Sequence, residues 1–266
     1  MLIYYQCKLM LDNIKNIMKK IAFINQKGGV GKTTCTMNIG AGLSSLGKKV
    51  LLVDLDPQAH LTYSLGIEAH ELENTVYDLL KGTCKAKQTI LSRNGIDLLP
   101  SSLELSGAEI EFSGIAGREF LLREALENIK SYDYILFDCP PSLGLLTLNA
   151  LTTTQEVYIP LQTEFLALQG MSKLLNTIEI VKKRLNKGID ITGIIATRFD
   201  NRKNLNKEVV EKIENHFGNR LFKTFIRDNV SLAEAPSFGQ TIFEYKANSY
   251  GAKDYLSLCQ EIIKRG

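Results

Sequence analysis

Tryptophan is absent from the 266 residues, proline occurs six times and histidine three. No apolar stretch reaches the roughly 20 residues needed to cross a bilayer, which sets aside a membrane-spanning chain. The five cysteines, Cys7, Cys35, Cys84, Cys139 and Cys259, are scattered and include no Cys-x-x-Cys pair. That spacing excludes a disulfide framework and a zinc ribbon, and it fits a reducing cytoplasm. Cys35 and Cys139 read as small buried apolar groups rather than reactive thiols. Neither sign of charge dominates, with 32 Lys and Arg against 29 Asp and Glu. A net charge of +3 does not announce nucleic-acid binding, so any such surface has to be a local cluster. Internal repeats and low-complexity linkers are also missing. With 44% hydrophobic and 23% charged residues, the length suits one large α/β domain with a substantial core.

The most informative stretch is Gln26-Lys27-Gly28-Gly29-Val30-Gly31-Lys32-Thr33-Thr34. It follows the apolar run Ile21 to Ile24 and leads into a helix-compatible segment, Thr36 to Leu46. A glycine-rich turn between strand and helix exposes successive backbone N–H groups beside the positive end of a helix dipole, which makes an anion site for nucleotide phosphates. Lys32 is placed to reach the β and γ phosphates, and the Thr33 hydroxyl to ligate Mg²⁺. Lys27 stands where the first glycine of the usual P-loop pattern belongs. It sets a second cation at the mouth of the loop, and two like charges do not comfortably share one phosphate group within a monomer.

Further apolar runs end in carboxylates. Val50 to Val53 runs into Asp54-Leu55-Asp56-Pro57-Gln58, and Tyr134 to Phe137 runs into Asp138-Cys139-Pro140-Pro141. Strand ends in open α/β sheets are where ligands sit, and alternation is expected to put Asp54 and Asp56 on one side. The second run has the Walker B form, in which Asp138 holds Mg²⁺ directly or through water, and two prolines stiffen the loop behind it. Ile96 to Pro100, Val157 to Leu161 and Ile191 to Thr197 read as further strands. Helices are expected at 75–80, 118–129, 167–186 and 252–264. The alternation predicts a doubly wound, mostly parallel sheet with helices on both faces. Residues 1–19 lack the features of a signal peptide and read as a leader outside the fold, leaving 20–266 as the single domain.

The loop from Lys27 to Thr34 resembles the deviant Walker A signature of the ParA/MinD ATPases. Asp54 to Gln58, Thr75 to Leu80, Pro140 to Gly144, Glu164 to Gly170 and Leu232 to Gly239 resemble blocks of its chromosome and plasmid partition branch, and the resemblance runs from about Lys19 to the end. It implies a P-loop NTPase that uses ATP and Mg²⁺, with Lys27, Lys32 and Asp56 as catalytic residues. Lys27 would cross to a partner's phosphates, Asp56 would orient the attacking water, and Thr33, Asp54 and Asp138 would serve the metal. Lys27, Gly28, Gly29, Val30, Gly31, Lys32, Thr33, Thr34 and Asn229 would hold the nucleotide.

The resemblance further implies an ATP-dependent homodimer that binds double-stranded DNA without sequence preference. A ParB-type activator would stimulate slow hydrolysis, in a cytoplasmic, nucleoid-associated protein without a membrane partner. Arg202 matches a family DNA-binding arginine, with Arg198, Lys203 and Arg227 as companions and Lys207, Arg220 and Lys223 nearby in sequence. Ser231 stands where many relatives carry a second basic residue, and Ile226-Arg227-Asp228-Asn229 departs from the usual Pro-Arg-Asn. Two alternatives stay open: a MinD-like membrane-cycling ATPase, and a nucleotide-switch scaffold with little turnover. An iron-sulfur carrier would need paired cysteines that are absent.

Overall fold

A computed structural model of the chain describes residues 18–164, 167–168 and 170–266. The expected leader lies outside the described residues except for Met18, which packs against the core, and Lys19, which opens the first strand. The described residues form one seven-stranded sheet in the order β3-β4-β2-β5-β1-β6-β7. Its strands are β1 (Lys19–Phe23), β2 (Val50–Asp54), β3 (Leu91–Arg93), β4 (Ile96–Leu99), β5 (Tyr134–Asp138), β6 (Glu156–Gln162) and β7 (Asp190–Thr197). All pairings are parallel except β3 with β4. That hairpin turns on Asn94 and Gly95, both at positive φ (50° and 78°), as a two-residue loop between twisted strands requires.

Among the described residues there are twelve α-helices, eight between strands and four after β7: α1 (Lys32–Ser45), α2 (His60–Ser64), α3 (Val76–Lys81), α4 (Ala86–Thr89), α5 (Ala108–Glu111), α6 (Leu121–Ala125), α7 (Leu145–Thr153), α8 (Met171–Arg184), α9 (Asn204–Phe217), α10 (Val230–Glu234), α11 (Ile242–Lys246) and α12 (Tyr250–Lys264). The two-residue period of the strands sorts the core into two layers. In β2, Leu51 and Val53 belong to the layer that holds α3, α7, α8 and α9, while Val50 and Leu52 belong to the layer of α1 and α12. Both faces are covered, as a parallel sheet demands.

The helix expected over 118–129 is broken. A 3₁₀ turn at Arg118–Phe120 passes into the five-residue α6, because Asn149 on α7 takes over its backbone partners. Asn149 Oδ1 accepts from Leu122 N–H, and its Nδ2 donates to Arg118 O, both at about 3 Å. The helix expected from 167 begins at Met171, after Gly170 at φ 80°.

Candidate nucleotide site and basic surface

The strand order changes direction around β1, and that is where the loop Gln26 to Gly31 leaves the sheet. In register, Phe23 lies beside Asp138 and Asp138 beside Asp54, so the ends of β1, β5 and β2 share one edge. Gly29 and Gly31 adopt positive φ (71° and 93°), which a residue with a Cβ strains to reach. The loop carbonyls are tied back to the sheet. Gln162 Nε2 donates to Gly29 O at 2.6 Å and Thr197 Oγ1 to Val30 O at 2.9 Å. Gly31 then caps α1 with no side chain and no acidic residue in the first turn, so among the described residues the helix begins with N–H groups that no side chain caps, at its positive end.

These residues line a cleft of about 860 Å³ that brings together Gly28, Gly29, Gly31, Lys32, Thr33, Thr34 and Asp56, closed on the other side by Pro140, Pro141 and Ser142. Lys32 is 8% exposed. Thr33 Oγ1 donates to Asp138 Oδ2 at 2.6 Å, while the buried Asp138 Oδ1 has no hydrogen-bond partner among the described residues. An orphaned buried carboxylate oxygen beside a hydroxyl is a donor pair suited to Mg²⁺, a hard cation that prefers oxygen ligands. Burial, and then the charge of Asp54, push the Asp138 carboxyl well above its usual range.

Asp54 and Asp56 part company. The strand ends at Asp54, so alternation no longer governs Asp56. The Asp54 carboxylate is fully buried and accepts from Thr62 N–H (2.9 Å), Thr62 Oγ1 (2.8 Å) and Asp56 N–H (3.1 Å). It does not line the cleft; it holds the backbone from which Asp56 projects. Burial raises its pKa to about 7 against the lowering by those hydrogen bonds. Lys27 is also absent from the cleft lining. Its side chain is half exposed and its Nζ pairs with Glu164 Oε2 at 3.0 Å.

A second cavity, of about 500 Å³, adjoins the loop and is lined by Gly29, Gly31, Thr34, Arg198, Arg227 and Asn229, among others. Asn229 is thus beside the phosphate loop, where its side chain caps α10 through Ser231 N–H. The fold gathers part of the basic cluster here. Phe199 bridges to Arg227, which joins the loop after β7 to the segment before α10. Arg198, in the left-handed region at φ 52°, pairs with Asp228 at 3.6 Å. Arg202 forks onto Asp200 through Nε and Nη2, each at 2.9 Å, and Lys203 stands 4.0 Å from the same carboxylate. Arg227 pairs with Asp254 and stacks 4.2 Å over Tyr250. Arg220 and Lys223 do not join them. Arg220 pairs with Asp190 at the opposite end of β7, and both line a separate groove there. Ser231 is buried, so it is packing rather than surface.

A family model described as an AAA domain matches residues 18–191. The chain is 47% identical over 251 residues to the sporulation initiation inhibitor protein Soj of Bacillus subtilis, covering 93% of this chain and 99% of that protein. It is 41% identical over 255 residues to the chromosome partitioning protein ParA of Caulobacter vibrioides, with 94% and 96% covered. The chain belongs to the Soj/ParA family of partition ATPases. Its fold is also that of cobyrinic acid a,c-diamide synthase of Mycobacterium smegmatis with bound ATP analogue and magnesium, at TM-score 0.85 and 34% identity, covering 94% of this chain and 95% of that one.

In this Soj/ParA chain, sequence reasoning passed over the residues that brace the loop. Asn25 accepts from Lys27 N–H through Oδ1 and donates through Nδ2 to Pro160 O, and Gln162 and Thr197 hold the neighbouring carbonyls. Gln162 and Thr197 each close an apolar strand with a polar residue, the same signal that singled out Asp54 and Asp138.

Proposed function

We propose that this protein is a Mg²⁺-dependent ATPase whose ATP-bound form pairs face to face with a second copy, binds duplex DNA without sequence preference, and is reset by slow hydrolysis that a ParB-type partner stimulates. The observation that carries the reading is the placement of the two loop lysines. Lys32 is buried in the cleft of its own chain, while Lys27 points out of it to an exposed carboxylate. A lysine so placed serves a phosphate outside its own subunit. Lys32 would offset the β and γ phosphate charge, Thr33 and Asp138 would hold the metal, and Asp56 would orient the attacking water, with Asp54 fixing the Asp56 backbone. Bound Mg²⁺ supplies charge neutralisation on the phosphate oxygens. Asn229 and its cavity would take the nucleoside side of the ligand.

Exposed Arg198, Arg202 and Lys203, together with half-buried Arg227, form the DNA surface, which pairing of two chains would double. A MinD-like membrane role finds less support. The apolar stripe of α12, Leu258, Cys259 and Ile262, is buried against α1, and no helix among the described residues is long and apolar enough to cross a membrane. The reading places the protein in the cytoplasm on the nucleoid. Light scattering with a slowly hydrolysed ATP analogue tests it, alongside phosphate release with and without DNA and a ParB-type peptide. A particle that stays monomeric with the analogue would defeat the pairing, and phosphate release unaffected by the peptide would leave a nucleotide switch without stimulated turnover.

A further inference from the structure

A segment with no recognised motif reaches the nucleotide cleft from the side. Leu105, Ala108 and Phe112 are buried and fasten it to the core, leaving Glu109 on the cleft wall. Glu109 Oε1 accepts a 2.9 Å hydrogen bond from Leu145 N–H. Leu145 is the first residue of α7, and the residue that should cap this helix is Gly144, which has no side chain to do so. Glu109 therefore performs from a distant part of the chain the task of an N-cap carboxylate: it satisfies an orphan donor and places negative charge at the positive end of the helix. Gly144 is not required by its backbone, since φ −85° and ψ −162° is extended geometry that any residue adopts. It leaves room for the Glu109 carboxylate. A Cβ at position 144 would overlap the Glu109 carboxylate.

The contact pins the loop between β5 and α7. At its start the loop is fixed to the sheet, with Cys139 N–H donating to Phe23 O at 3.3 Å, and Pro140 and Pro141 restrict the backbone beyond it. Thr147 Oγ1 donates to Ser142 O at 2.6 Å, and Glu109 secures the far end. Pro140, Pro141, Ser142 and Gly144 all line the cleft that holds Lys32 and Asp56. We propose that Glu109 is a positioning residue for hydrolysis: by capping α7 across the cleft it holds the Pro140–Gly144 loop as the wall against which the terminal phosphate and its attacking water are arranged.

This inference rests on the reading of the cleft as an ATPase site. ATP affinity depends chiefly on the phosphate loop, which Glu109 does not touch, whereas turnover depends on the registration of the opposite wall. Misplacement of a wall by about an ångström costs on the order of 10- to 100-fold in rate.

The test uses the full-length protein and four measurements: ATP Kd, kcat for phosphate release, thermal midpoint, and hydrogen exchange at the Leu145 amide without nucleotide. Glu109→Ala is expected to lower kcat by about 10-fold or more at unchanged ATP Kd, with the midpoint lowered by only the few degrees that a lost helix cap costs and with faster Leu145 exchange. Gly144→Ala should reproduce that profile by displacing the carboxylate, and the double variant should be no slower than either. Glu109→Gln keeps the Oε1 acceptor and should retain most of the rate. Wild-type kcat in Glu109→Ala, or a Glu109→Gln as slow as the alanine variant, overturns the positioning role. So does a fall in ATP affinity and midpoint that matches the loss of rate, which would make the contact one of stability alone. A wild-type protein inert toward ATP overturns the ATPase reading itself, a result none of the variants can mimic.

Discussion

In the nucleotide cleft the buried charged side chains have no carboxylate–cation pairing of their own, whereas on the basic surface beyond β7 each arginine is held by a nearby carboxylate. Among the described residues, buried Lys32 makes no ion pair within 4 Å, and Asp138 keeps one carboxylate oxygen without a partner. Arg198, Arg202 and Arg227 by contrast are matched to Asp228, Asp200 and Asp254. The cleft stores charge that only a ligand can balance, since an uncompensated buried charge is expensive. The surface stores little, only what remains where Arg202 and Lys203 share Asp200. A polyanion there has to compete with acids already in place, in water and against salt, where each ion pair is worth little.

If the contrast is right, the cleft should respond most steeply to single changes. Lys32→Ala is expected to lower ATP affinity at least ~100-fold, about 2.7 kcal/mol, measured by calorimetric titration; retained affinity would break the comparison at its base. Asp56→Ala should leave binding intact and reduce turnover by about 10²- to 10⁴-fold, the range of a general acid or base, with the protein accumulating as an ATP-bound dimer in gel filtration.

Lys27 lies between the two regimes, charged and paired but at the cleft mouth. Lys27→Ala should bind ATP normally and remain monomeric in light scattering. Glu164→Gln, which releases the lysine from its own chain, should dimerise at lower ATP analogue concentration than wild type. An unaltered dimerisation curve in both would leave the Lys27–Glu164 pair as surface decoration.

On the basic surface the effects should be smaller and of both signs. Arg202→Ala should weaken duplex binding a few-fold for any sequence and reduce the slope of log K against log salt by about 1, while Asp200→Asn should tighten binding by freeing the guanidinium. Fluorescence anisotropy across a salt series reads both. If Asp200→Asn weakens binding, the pair is a built feature of the DNA surface rather than a competitor.

Stability should respond to pH as well. The folded chain holds a proton on Asp54 up to about pH 7, whereas the unfolded chain loses it near the ordinary value of 3.8. Between those limits the folded state binds more protons, so stability falls as pH rises and levels off above the folded pKa. Urea unfolding from pH 4 to 8 should show this decline, and Asp54→Asn should reduce it, the raised Asp138 carboxyl keeping the remainder.

Much of the cleft was legible because its chemistry is local. Lys27 to Thr34 is one turn of chain, and Asp54 and Asp138 announce themselves as charges closing apolar strands. Less legible was what the side chains do there. Asp54 and Asp56 are two residues apart, yet one is consumed by Thr62 and the other opens to the cleft. Glu109 carries no signal in its own neighbourhood, because its partner is 36 residues away. The β3–β4 hairpin had its mark in Asn94-Gly95, but β3 is only three residues long and its apolar content too slight to register as a strand.

The sequence by itself determined the doubly wound sheet and the phosphate loop, since two-residue alternation, glycine at positive φ and strand-end carboxylates are properties of short runs of chain. Tertiary structure alone decided which charges are spent and which are left over. That Arg202 is forked onto Asp200, that Arg220 sits at the far end of β7, and that Asp138 keeps a free oxygen all depend on through-space distances between separate segments, over which Coulomb and hydrogen-bond energies act and of which the order of residues keeps no record.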